Sequence, residues 1–116
     1  MSKEKRKGNG FEDNRLAKFK RWWPDARCAP PQERGKQSTK GKQPPDIEGT
    51  PFYIECKWAA ASDPTLRAAR QALKKTDGRM PIGVGKQKHK PVMVAMPWEV
   101  FEVIVDKAYA YDMSDD

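Results

Sequence analysis

The segment Phe52–Trp58, FYIECKW, restricts the fold more than any other part of the chain. Side chains on a strand alternate between faces, so Phe52, Ile54, Cys56 and Trp58 form one complete apolar side while Tyr53, Glu55 and Lys57 point the other way. Such a side has to be covered by a helix or a second sheet. Hydrophobic residues are only 37% of the 116-residue chain and charged residues 34%. The core must therefore come from a few well-patterned elements within one domain.

Residues 1–9, MSKEKRKGN, read as a flexible basic tail, and a helical pattern starts at Gly10 and stops at Pro24. Leu16, Phe19 and Trp23 recur at helical spacing and make one buried stripe. At about 100° per residue, Glu12 falls within roughly 40° of the centre of that stripe, an unusual place for a carboxylate. ARCAP, residues 26–30, reads as a short first strand. Residues 31–45 mix Pro, Gly, Gln, Ser and Lys without an apolar residue and predict a mobile basic loop. Asp46 and Ile47 start a strand, Glu48-Gly49-Thr50-Pro51 turns, and Phe52–Trp58 returns as the hairpin partner.

Asp63-Pro64 is a helix start, an N-cap followed by proline at the first helical position. The helix is expected to reach about Lys75 with Leu66, Ala69 and Leu73 inward and Arg67, Arg70, Gln71 and Lys74 on its other side. IGVG and PVMVAM read as two further strands joined by the basic turn KQKHK. Pro97 then opens a last helix whose apolar face is Trp98, Phe101, Ile104, Val105 and Ala108, followed by an acidic tail over residues 110–116. The order helix, three strands, helix, two strands, helix describes one α/β domain over residues 10–109, a small mixed sheet flanked by helices.

The formal net charge is +7, which favours a polyanionic partner but names no reaction. Cys28, Cys56 and the single histidine, His89, are too few for a four-ligand zinc site. His89 lies in a lysine-rich turn without an evident partner, which disfavours Ser-His-Asp and Cys-His schemes. Gly78–Lys86 lacks the Gly-Lys-Ser/Thr ending of a phosphate-binding loop, so no nucleotide cofactor is expected. No run approaches the roughly 20 apolar residues of a membrane span, and two unpaired cysteines suit a reducing compartment, so a cytoplasmic protein is expected.

Acidic residues are the remaining catalytic resource. Asp46, at the start of the hairpin partner, is expected beside Glu55. Two carboxylates brought together repel unless one protonates or a cation sits between them. Oxygen ligands without sulfur or imidazole suit Mg²⁺ or Mn²⁺. Residue by residue, simpler roles are open: Asp46 as a turn opener, Glu55 and Lys57 as a surface pair, and Glu12 as a helix-start acid.

Pro45-Asp46, an eight-residue spacer and Glu55-Cys56-Lys57 together resemble the signature of the PD-(D/E)xK nuclease superfamily. Glu12 on the inward side of the first helix and the order of elements add to the resemblance. Residues 7–22, KGNGFEDNRLAKFKRW, are similar to the opening of archaeal and phage Holliday junction resolvases. The resemblance covers roughly Lys7 to Met96 and implies a restriction-endonuclease-like αβββαβ core with a C-terminal helix added. It implies a Mg²⁺- or Mn²⁺-dependent endodeoxyribonuclease acting on branched DNA, with Asp46, Glu55 and Glu12 as metal ligands and Lys57 orienting the attacking water. Gln32 and Gln71 are weaker candidates to line the site. A resolvase would act as a C2 dimer on a two-fold symmetric junction, in the host cytoplasm if phage-encoded. Trp22, Trp23, Trp98 and Phe101 are assigned to the core ahead of any interface.

Charge supplies the candidate DNA contacts: Lys5, Arg6 and Lys7 in the tail, Arg34, Lys36, Lys40 and Lys42 in the loop, and Lys86, Lys88 and Lys90 in the turn. Contacts of this kind position a phosphate backbone without reading sequence. A less selective repair or replication nuclease and a non-catalytic basic nucleic-acid-binding protein are the rival readings.

Overall fold

The structure is a computed structural model that describes residues 3–29 and 43–114. Arg34, Lys36, Lys40, Lys42 and Gln32, and the side chain of Lys5, lie outside the described residues. Eight elements follow in the order α1 (Lys3–Phe19), β1 (Arg27–Cys28), β2 (Ile47–Glu48), β3 (Phe52–Ala59), α2 (Pro64–Lys75), β4 (Met80–Gln87), β5 (Met93–Ala95) and α3 (Trp98–Ser114). The strands form a single sheet in chain order. β3 and β4 are parallel, joined by the α2 crossover, and every other neighbouring pair is antiparallel. The mixed α/β architecture expected from the sequence is therefore present. No described helix is long and apolar enough to cross a membrane.

Phe52, Ile54, Cys56 and Trp58 face α1 as the alternation requires. They join Phe11, Ile47, Ile82 and Val84, with Leu16, Phe19 and Trp23 packed around them. Trp23 meets Phe52 edge to face, ring centres 5.8 Å apart. α1 starts at Lys3, not Gly10, so residues 3–9 are helical and the tail is shorter than expected. Lys, Glu and Arg are good helix formers. Lys7 Nζ also sits 4.8 Å from the centre of the Trp58 ring, tying this end of α1 to the sheet.

α2 covers the opposite face, but with different residues from those expected. Its N-cap is as expected: the Asp63 carboxylate accepts from the Thr65 and Leu66 N–H groups. The buried side chains are Pro64, Thr65, Ala68 and Ala72, while Leu66 and Leu73 are exposed. The cause lies in β4. A Cβ at Gly83 would collide with the Ala69 backbone, and one at Gly85 with Thr65. The helix has come down onto two glycines, and at that distance only small residues fit between helix and sheet.

α3 corrects the sequence reading most. It continues through residues 110–114, which were expected to be a tail, because nothing in Ala110–Ser114 breaks a helix. Its expected core-facing residues are not in the core: Val100 is the one buried residue of the helix, while Trp98, Phe101, Ile104 and Val105 are exposed. Trp22 is exposed as well, so it too is not a core residue.

Candidate active site

The hairpin delivers the acid pair. Ile47 is paired with Ile54, and carrying that antiparallel ladder one residue further sets Asp46 opposite Glu55. The strands divide at this point. Asp46 N–H donates to Ile54 O at 2.9 Å, and Asp46 Oδ2 accepts the Cys56 N–H at 2.8 Å. A carboxylate thus takes a backbone donor that β2, only two residues long, does not reach. The aspartate is held by the strand that carries the glutamate.

Glu55 is only 6% exposed. It shares a face with Tyr53 and Lys57, and its parallel partner is Gly83. The approach of α2 to that glycine roofs the carboxyl over. Burial, then the Asp46 carboxylate, and more weakly a hydrogen bond with Asp46, push Glu55 up to about 8. The Lys75 ammonium opposes this, as does Lys57 more weakly. At neutral pH the folded protein consequently favours the protonated form of Glu55. Lys57 is half-buried, two residues on along the same strand face.

Glu12 is half-buried on α1, on the opposite side of the sheet, where its charge acts on Cys56. Burial first, then Asp46, Glu12 and Glu55, push the Cys56 thiol up. Among the described residues, no group of three or more His, Cys, Asp or Glu side chains is arranged to hold a metal ion. The acids brought into contact are Asp46 and Glu55. This pair still fits a hard cation: its donors are carboxylate oxygens, and the Asp46 charge that raises Glu55 is one that such an ion would offset.

Two participants were missed from the sequence. Lys75 closes α2 on the flank that carries Ala68 and Gln71, three and four residues apart, and the count of helical positions could have placed it there. Tyr53 was assigned to the Glu55 face without a role. It is fully buried, its hydroxyl donates to Gln43 O at 2.7 Å, and the Arg79 guanidinium lies 5.6 Å from its ring centre. Arg79 is itself held by Asp77 at 2.5 Å. Burial and the neighbouring carboxylates push the Tyr53 hydroxyl upward, so it remains a donor.

The basic residues distribute unevenly. Lys88 and Lys90 are exposed in the turn after β4, and the Lys88 N–H donates to Ala59 O at 3.0 Å, placing this turn at the carboxyl end of β3. Lys86 is half-buried, and its Nζ donates to the Gln87 and Lys90 carbonyls. His89 is exposed with a positive φ of 65°, a turn residue. Arg6 is exposed on α1, beside Lys7.

Compared with known proteins, the chain matches no family model, no curated protein and no solved structure.

Proposed function

We propose that the protein is a divalent-metal-dependent DNA endonuclease of the PD-(D/E)xK type, acting on branched DNA. The reading is supported by one observation above all: the β2–β3 register sets Asp46 beside the buried Glu55, with Lys57 on the same strand face as Glu55. Asp46 and Glu55 would hold Mg²⁺ or Mn²⁺. When bound, such an ion supplies charge neutralisation and Lewis-acid activation at the phosphodiester.

The chain's own groups have separable tasks. Asp46 is oriented by the Cys56 N–H before any substrate arrives. Lys57 carries an ammonium that can hold the attacking water and oppose negative charge developing on the phosphate. Lys75 adds a second ammonium beside Glu55. Lys88, Lys90, Arg6 and Lys7 offer positive charge for the duplex arms, a contact with shape and backbone that suits a branched substrate.

Labelled four-way junction, linear duplex and single strand, incubated with and without Mg²⁺, test the reading. Junction cleavage that requires the ion, and that Asp46→Ala, Glu55→Ala and Lys57→Ala abolish while salt-dependent binding persists, is the expected result. Equal cutting of all three substrates removes the branched-DNA specificity. Binding without cleavage under any divalent metal leaves a nucleic-acid-binding protein and ends the nuclease reading.

A further inference from the structure

Trp22 stands on the turn that ends α1, and it is 65% exposed. The chain stays wound through this turn: Arg21 N–H donates to Lys18 O at 3.1 Å, Trp22 N–H to Phe19 O at 3.0 Å and Trp23 N–H to Phe19 O at 2.9 Å. Residues three and four apart therefore share a side. Phe19 and Trp23 take the side packed on the core, while Lys18, Arg21 and Trp22 are exposed together. The indole is held even so. It meets the Phe19 ring at 72° with centres 6.2 Å apart, and the Trp23 ring at 68° and 6.4 Å. A large flat ring is thus fixed in place with most of its surface in water. It belongs to α1, on the opposite side of the sheet from Glu55, and so lies apart from the candidate active site.

A single exposed apolar side chain is ordinary. The charge around this one is not. Lys18, Lys20 and Arg21 are all exposed, and none is in an ion pair among the described residues. Lys18 offsets the negative pole at the end of α1. Lys20 and Arg21 lie past that last turn, and Asp25 is the one acid in residues 18–25. Trp98, the other strongly exposed tryptophan, differs: it stands on α3 beside Glu99, and its Nε1 donates to Glu102. Cations bordering a fixed, exposed indole are the two parts of a single-strand nucleic-acid contact, in which phosphates meet the charges and an unpaired base stacks on the ring. A lipid surface fits less well. Membrane binding grows with the apolar area inserted, and Phe19 and Trp23, the other large residues of this turn, are engaged with the core.

We propose that the Trp22 turn binds single-stranded nucleic acid, with an unpaired base stacked on the indole and the strand's phosphates on Lys20 and Arg21. The site does not rest on metal chemistry, so it is measured in EDTA, where cleavage plays no part. Labelled oligothymidylate of about ten nucleotides and an abasic strand of the same length, each titrated with the full chain, separate stacking from charge. The wild type should prefer oligothymidylate, a result that requires no variant to fold. Trp22→Ala should weaken oligothymidylate binding roughly five- to a hundredfold and leave the abasic strand unchanged, and Trp22→Phe should retain most of the affinity. Replacing Lys20 and Arg21 together with alanine should weaken both strands alike and reduce the slope of log affinity against log salt by about 1.4. A wild type with no preference between the strands, equal losses on both with Trp22→Ala, or Trp22-dependent binding to phosphatidylserine vesicles in place of either strand overturns the proposal.

Discussion

Replacing Glu55 with glutamine should stabilise the metal-free protein, by an amount that grows with pH. The Glu55 carboxyl is pushed from 4.5 up to about 8 by burial and by Asp46. Between those values the folded state keeps a proton that the unfolded chain has released. Stability from this group is therefore complete below about 4.5 and is lost as pH rises through about 8. That is opposite in sign to a salt-bridged carboxylate. At about 1.4 kcal/mol per pH unit, the ceiling over this interval is about 5 kcal/mol. Relaxation and water entry around a newly formed charge reduce the expected value to about 2–4 kcal/mol.

Glutamine has nearly the same shape, its amide can donate to Asp46 as the protonated carboxyl does, and it has no proton to lose. Urea unfolding of both proteins in EDTA at pH 5, 7 and 9 measures the difference. The two should be close at pH 5, and the variant about 2–4 kcal/mol more stable at pH 9. A difference that is flat from pH 5 to pH 9, or a wild type that is the more stable at pH 9, refutes the raised Glu55. Repeating the pH 9 arm in millimolar Mg²⁺ should stabilise the wild type and leave the variant unchanged, because only the acid pair gains a ligand by mass action.

Gly83→Ala should cost about 1–3 kcal/mol in thermal or urea unfolding, since the new methyl meets the Ala69 backbone and α2 must rise. The same variant should lower the Glu55 titration midpoint, read by carbon-detected NMR of its carboxyl, because the roof over that group is lifted. Lys75→Met should move that midpoint upward, because the ammonium that most favours the ionised form is gone; an unchanged midpoint would remove Lys75 from the site. Asp63→Ala should cost about 0.5–2 kcal/mol through loss of the α2 N-cap, measured by urea unfolding.

The local signals in the sequence were reliable wherever a side chain's own pattern decides the structure. The alternation in FYIECKW placed the apolar face on the core, Asp63-Pro64 set the start of α2, and the short turn over Glu48–Pro51 brought Asp46 to Glu55. Two local readings failed, at the ends where α1 and α3 extend over residues 3–9 and 110–114, and the remaining failures depend on neighbours distant in sequence. Leu66 and Leu73 have the periodicity of a buried face, yet the sheet beneath α2 presents Gly83 and Gly85 and leaves space only for Ala68, Ala72 and Thr65. A helical wheel of α2 contains no information about β4. For α3 the residues expected in the core are exposed, because apolar spacing along a helix does not say which surface of the fold reaches it. Lys75 was missed for a related reason: its neighbour Glu55 lies twenty residues away and on a different element.

The chemistry of the candidate site therefore depends on residues with no side chain to contribute. Asp46 and Glu55 would be neighbours in any hairpin of this register, and on an open sheet face water would screen their repulsion. The glycines of β4 remove that water by letting α2 settle over Glu55, and the same approach brings Lys75 within range of the carboxyl. A larger residue at either position would hold the helix off and leave an ordinary solvated pair. Close helix packing gained at Gly83 and Gly85 is thus opposed by Glu55, a buried acid beside half-buried Asp46 that neutral pH does not fully ionise. That opposition would be relieved if a cation joined the carboxylates, and such an ion would then tighten the sheet–helix contact as well.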